Sequence, residues 1–326
     1  MLCLLLTALI WGFAFVSQVQ GMDSMTPLFF NAVRFTLGAL SLVPILLVTG
    51  SRRRADQAQT ASHRARPPHG SVPRSWRTNP AIVGGICGVF LFTASTLQQY
   101  GILYGRSAGR AGFITALYIV LVPLLAFVFL RRRITVVVVA SVAIAVTGFY
   151  LLCITDGFGS LTLADLLLLF TALLFAAHIL IIDVLGSAVD ALQLSFAQFT
   201  VTAALSWIGS LVQGSVDWQG AASAWIPILY AGIGSVGIAY TLQAVGQQWV
   251  PPTRASLIMS LESFFSVVGG ALFLGETMTV RGYLGCALIF AGTLLAQAPA
   301  KLPEVLTRSA SSRSKGPGRP ASGRQS

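Results

Sequence analysis

The sequence predicts an all-α polytopic membrane protein with ten transmembrane helices in two inverted five-helix repeats. Three observations predict it: charged residues are scarce, the apolar residues come in runs of about twenty, and the two halves repeat with linkers of opposite charge.

The chain has 326 residues, 55% hydrophobic and 10% charged, and its mean hydropathy is +0.78. Soluble domains carry roughly 25% charged residues, so these few charges cannot make a water-facing surface. An apolar run of about twenty residues crosses a hydrocarbon core of ~30 Å. In lipid the backbone must satisfy its own hydrogen bonds, which leaves helices or closed barrels. Barrel strands alternate apolar and polar residues; these runs do not alternate, so helices are expected.

Ten spans follow in order: 2–20, 27–48, 80–100, 108–130, 134–153, 161–182, 191–213, 223–246, 254–274 and 279–298. Polar or Gly/Pro breaks such as Gly21–Thr26, Asp156–Ser160 and Gln213–Gln219 separate them. The first span lacks the basic n-region of a signal peptide and its apolar part is long for an h-region, so it reads as an uncleaved helix. It starts at Met1 without a cytoplasmic lead-in, as a truncated or misassigned start would. Two polar stretches, Ser51–Asn79 and Pro299–Ser326, lack apolar periodicity and are expected to be disordered. The first repeat is then 1–153, carrying the disordered basic loop 51–79. The second is 161–298, and 299–326 is a disordered basic tail.

The net charge of +11 is concentrated in the loop 51–79, the run Arg131–Arg133 and the tail from Lys301. Cytoplasmic loops collect Lys and Arg. The pattern therefore reads as topology and contact with anionic lipid. No aromatic–basic pattern points to nucleic acid. With the N-terminus cytoplasmic, all three basic clusters lie inside, and Asp23, Asp156, Asp217 and Glu276 lie outside with Arg106 as an exception. The expected location is the plasma (inner) membrane, multi-pass, with both termini cytoplasmic. Cys3, Cys87, Cys153 and Cys286 all fall in apolar runs without metal-ligand spacing, and read as small buried hydrophobes.

Thr96-Leu-Gln-Gln-Tyr-Gly101 reappears as Thr241-Leu-Gln-Ala-Val-Gly246. From Arg110 and Arg254 the halves align without insertion through two spans, pairing Ile114 with Ile258, Leu117 with Leu261, Thr135 with Thr279 and Gly148 with Gly292. Arg34-Phe-Thr36 sits opposite Gln198-Phe-Thr200. Five spans per half is an odd number, so the second half must enter from the opposite side. Where one linker has Arg131–Arg133 the other has Gly275-Glu276-Thr277, as opposite sides require. Inverted repeats are the usual architecture of secondary transporters with a midplane site.

Over residues 1–298 the chain resembles the EamA-like family of the drug/metabolite transporter superfamily. The resemblance rests on Trp11-Gly-Phe-Ala-Phe15, Arg34-Phe35, Ala108-Gly-Arg-Ala-Gly-Phe-Ile-Thr-Ala-Leu-Tyr118 with Val122-Pro123, and Pro252-Thr-Arg-Ala-Ser-Leu-Ile-Met-Ser-Leu-Glu262. Leu274-Gly-Glu-Thr277 and Gly285-Cys-Ala-Leu-Ile-Phe-Ala-Gly292 complete it. It implies ten helices, a central cavity and alternating access, and names no substrate. Where the family pattern often has Glu-Pro, this chain has Glu262-Ser263, which removes proline as a source of a kink there.

Ionisable residues inside spans are costly, by roughly 2.5–3.5 kcal/mol at the centre, and tend to face cavities or partners. Glu262 shares a face with Ser266 and Gly269. It reads either as a ligand contact and protonatable coupling group or as a structural hydrogen-bond hub. Its repeat mate Tyr118 stands on a face with Thr115 and either donates to a substrate or closes a packing seam. The pair is expected to face one shared cavity from opposite halves. His178 could relay protons or pack as a neutral hydrogen-bonded residue. Arg34 and its mate Gln198 read as structural anchors or as an anion site. Gln98, Gln99 and Gln243 end the Thr-Leu-Gln motifs and meet either substrate or headgroups. Trp11 lines a cavity or packs.

No P-loop or Gly-rich phosphate loop is visible, so no nucleotide or other cofactor is expected, and no metal. No nucleophile–base constellation supports an intramembrane enzyme, the main rival of another class, and a scaffold has no evident need of an inverted repeat. The expectation is a secondary transporter of small polar or amphipathic metabolites, more an exporter than an uptake or lipid-linked-sugar carrier, with proton coupling as a candidate mechanism.

Overall fold

The computed structural model of the chain describes residues 1–63, 79–132, 134–153, 161–186, 189–295 and 304–306. The first half comprises α1 (Leu2–Gly21), α2 (Pro27–His63), α3 (Pro80–Gly105), α4 (Ala108–Thr115), α5 (Tyr118–Leu130) and α6 (Val136–Cys153). The second comprises α7 (Leu163–Leu185), α8 (Ala191–Val212), the short α9 (Trp218–Ser223) and α10 (Trp225–Leu229), a π-helical segment Tyr230–Tyr240, α11 (Thr241–Gln247), α12 (Pro252–Met259), α13 (Glu262–Leu274) and α14 (Val280–Leu295).

Among the described residues, eight helical stretches are long and apolar enough to cross a membrane. The apolar parts of α6 and α14, Val139–Leu152 and Val280–Gly292, are shorter. The chain is a polytopic α-helical membrane protein. One two-residue strand, Ile134–Thr135, pairs antiparallel with Glu304–Leu306.

Two polar stretches differ from expectation. Helix α2 continues past its apolar part, which ends at Thr49, as far as His63. Arg, Ala and Gln are good helix formers and no proline intervenes before Pro67, so the helix propagates into the stretch expected to be disordered. The rest of that loop, 64–78, lies outside the described residues, as do the break Asp156–Ser160 and all of the tail 299–326 except the strand at Glu304–Leu306.

The fourth and ninth spans are each broken at matching positions, Ala116–Leu117 and Ser260–Leu261. At both breaks the backbone tightens to three-residue bonds: Leu117 N–H donates to Ile114 at 3.2 Å, and Ser263 N–H to Ser260 at 3.0 Å. The ninth span breaks without the proline. Serine hydroxyls take its place, for Ser260, Ser263 and Ser266 each donate to the carbonyl three residues back at 2.8 Å. Such back-bonding competes with the helical ladder and bends helices.

Small residues let the helices approach closely, as is usual in lipid. A Cβ on Gly148 would lie 2.6 Å from the Gly285 carbonyl oxygen, and one on Gly292 would lie 2.8 Å from that of Ser141. This seam between α6 and α14 exchanges repeat mates, since the alignment that pairs Gly148 with Gly292 also pairs Ser141 with Gly285. Other interhelical pairings exchange in the same way. Helix α3 packs on α8 as α2 packs on the π-helical segment, and α1 packs on α13 as α7 packs on α5.

Charged loops meet at one end of the bundle. The Glu276 carboxylate accepts from Ser107 Oγ at 2.9 Å and from the backbone N–H groups of Ala108 at 2.6 Å and Gly109 at 3.1 Å. It thereby satisfies open donors at the start of α4. Arg110 binds Asp165 through both Nε (2.7 Å) and a terminal nitrogen (2.8 Å), and Asp165 also closes a capping box with Thr162 at the start of α7. Arg106 pairs with Asp23 at 2.5 Å.

Candidate functional site

A narrow cavity lies between the two halves. Its empty volume is about 440 Å³, part of it open to solvent.

The first half contributes Trp11, Phe15 and Gln18 from α1, Arg34 from α2, Gln98 from α3, Thr115 from α4 and Tyr118 from α5. The second contributes Phe175 and Ile179 from α7, Ser235 and Tyr240 from the π-helical segment, Gln243 from α11 and Glu262 from α13. Repeat mates recur across it. Tyr118 faces in with Glu262, and Gln98 with Gln243. The offset that sets Arg34 opposite Gln198 also sets Trp11 opposite Phe175 and Phe15 opposite Ile179.

The two helix breaks place Tyr118 and Glu262 as the first residues of their half-helices. Both are almost fully buried and within electrostatic reach of each other. Even so, neither the Tyr118 hydroxyl nor Glu262 Oε1 has a hydrogen-bond partner of good geometry. Trp11 donates to the carbonyl of Ser235 at 3.3 Å and meets the Tyr240 ring edge-on at 4.6 Å. A π-helix widens the backbone ladder and often marks a functional site; this one carries two lining residues and accepts the Trp11 bond. Gln98 donates weakly to Thr115 Oγ1 at 3.4 Å. It does not stand at the helix end, because α3 runs on to Gly105, five residues past the expected end.

Gln99, His178 and Gln198 do not line the cavity. Gln99 donates to the backbone of Gln18 at 3.1 Å. His178 Nε2 meets Gln198 Oε1 at 2.9 Å, and the imidazole stands edge-on to Tyr240 at 6.5 Å. This pair backs Tyr240 from outside the cavity. The sequence analysis missed Tyr240 and Gln18 among the polar lining residues, with Ser235, and did not single out Phe15, Phe175 or Ile179. A phenol directly before Thr241-Leu-Gln243 and an amide inside the first apolar run are signals that could have found Tyr240 and Gln18. Among the described residues no cluster of three His, Cys, Asp or Glu could hold a metal ion.

Fold and cavity together define a polytopic helical membrane protein with a cavity of mixed polar and apolar lining between its first and second halves. The sequence profile of the EamA-like transporter family matches residues 1–154 and again 162–297; the chain belongs to that family and is a membrane transporter. It is 28% identical over 296 residues to an "Uncharacterized transporter" of Archaeoglobus fulgidus, covering 90% of this chain and 83% of the relative. A solved protein crystal structure superposes with a TM-score of 0.64 at 20% identity, covering 90% of this chain and 95% of that one. At that identity the likeness is one of fold.

Proposed function

We propose that this protein is a secondary transporter that moves small polar or amphipathic metabolites by alternating access, in the export direction. Its ten spans form two inverted five-helix repeats in the plasma membrane, with both termini cytoplasmic. The observation that carries this reading is the pairwise recurrence of repeat mates around one central cavity, Tyr118 with Glu262 above all. Inverted repeats that share a midplane site exchange roles as the carrier opens to either side. The exchange of contacts at Gly148/Gly285 and Gly292/Ser141 supports the same symmetry. The charged loops favour a state closed at the Asp23, Ser107 and Glu276 end, the extracytoplasmic end in this orientation.

Glu262 is the carboxylate of the cavity, with one oxygen unpartnered, and serves as the proton-coupling group. Purified protein in liposomes, loaded with a broad metabolite panel and given imposed pH gradients, tests both parts. Wild type is expected to release a subset of the panel in a pH-dependent way. Glu262→Gln, a neutral near-isostere, is expected to fold normally and lose the pH dependence. Absence of transport across the panel and gradients would sink the transporter reading; unchanged pH dependence in the variant would sink only the coupling role.

A further inference from the structure

The guanidinium of Arg34 is a buried cation without a counterion among the described residues. It is 2% exposed, within a membrane span. Among the described residues it forms no ion pair and donates no hydrogen bond, and its buried Nε has no partner. Its neighbours are rings: Phe30 at 5.5 Å and Phe35 at 5.0 Å from the guanidinium carbon. Tyr240 is its electrostatic neighbour. Phenyl faces attract a cation only modestly. A buried cation with five unspent donors is expensive unless an anion meets it.

We infer that Arg34 is the subsite for an anionic group of the substrate, which is then a small organic acid whose carboxylate, or a similar planar oxyanion, takes the guanidinium fork. This rests on the transporter reading above and deepens it. Three features carry it. Arg34 lines the cavity, with a buried Nε that has no partner. A guanidinium presents two parallel N–H groups that match a carboxylate bidentately. Glu262, the cavity's own carboxylate, does not satisfy it. Tyr240 is in electrostatic reach of both Arg34 and Glu262, whereas those two do not pair with each other. Arg34 is thus left for the substrate. Trp11, Phe15, Phe175 and Ile179 bound the same cavity with apolar surface, which suits the hydrocarbon body of such an acid. A structural anchor, by contrast, would spend its donors on carbonyls or a carboxylate.

The test is ligand-induced thermal stabilisation of the purified full chain in nanodiscs, read by tryptophan fluorescence. The probes are a panel of C3–C6 monocarboxylic, hydroxy and amino acids, each run beside its uncharged amide. For wild type, at least one acid is expected to raise the melting temperature, with its amide roughly 10- to 100-fold weaker, the range for losing a charged hydrogen bond. In Arg34→Gln the acid and amide are expected to become equivalent, and in Arg34→Lys the acid preference is expected to return in part. Unliganded Arg34→Gln is expected to melt at or above the wild-type temperature, because an uncompensated buried charge has gone. Equal binding of acids and amides to wild type would overturn the subsite while leaving the transporter reading intact, as would an acid preference that survives in Arg34→Gln. Marked destabilisation of unliganded Arg34→Gln, with Arg34→Lys restoring stability but no acid preference, would make Arg34 an anchor instead. No stabilisation by any probe, together with no transport in liposomes, would overturn both.

Discussion

Arg110 and Arg254 are repeat mates in matching sequence contexts, yet the structure gives them unequal work. Arg110 holds Asp165 with two bonds at 2.7 and 2.8 Å, and Asp165 has 1% of its side chain exposed. Arg254 is exposed and has no ion pair among the described residues. Replacing each with Gln therefore separates sequence equivalence from structural role. Losing one partner of an enclosed ion pair costs about 3–5 kcal/mol. Here Arg110 keeps 30% exposure and Thr162 still donates to Asp165 at 2.8 and 3.0 Å, so about 1.5–3 kcal/mol is expected. Arg254→Gln, a surface change, is expected within about 0.5 kcal/mol of wild type. Reversible unfolding in mixed micelles, titrated with a denaturing detergent, measures both. A double-mutant cycle with Asp165→Asn should return a coupling of about 1 kcal/mol or more. Equal destabilisation by the two Gln variants, or a cycle that closes to zero, would refute the unequal structural roles of Arg110 and Arg254.

Gly148→Leu is expected to destabilise by about 1–3 kcal/mol or to abolish expression, because the Gly285 backbone already occupies the space of its Cβ. Gly85→Leu, which meets nothing within 4 Å, is the matched control and should fold normally in the same assay. For topology, single cysteines at Ser62 and Ser311, in a background free of native cysteines, should resist an impermeant thiol reagent in intact cells and react after lysis. Labelling of either in intact cells would reverse the proposed orientation.

Much of the architecture could be read along the chain because lipid allows so few solutions. A run such as Leu2–Gly21 must be helical to satisfy its own backbone, and the span limits follow from where polarity resumes. Helix ends past the apolar part were harder to read. Helix α2 runs on to His63 through residues that favour helix. In the second half, the break at Ser260–Leu261 has no proline to announce it and depends on serine back-bonding, which local sequence permits but does not require.

The candidate site divides in the same way. Glu262, Tyr118, Arg34, Gln98, Gln243 and Trp11 could be picked from the sequence because polar or amphipathic groups inside apolar runs stand out by their cost in lipid. By that rule His178, Gln198 and Gln99 looked the same, and only packing separates them. His178 and Gln198 meet each other at 2.9 Å behind Tyr240, while Arg34, the mate of Gln198, lines the cavity with its Nε unpartnered. Sequence by itself determined the membrane class and the long apolar helices, since hydropathy and local hydrogen bonding act over neighbouring residues. Which of two equivalent arginines finds Asp165, and which buried polar groups find partners and which face a chamber, were decided only by tertiary structure. Those outcomes depend on which helices meet, and residues far apart along the chain set them.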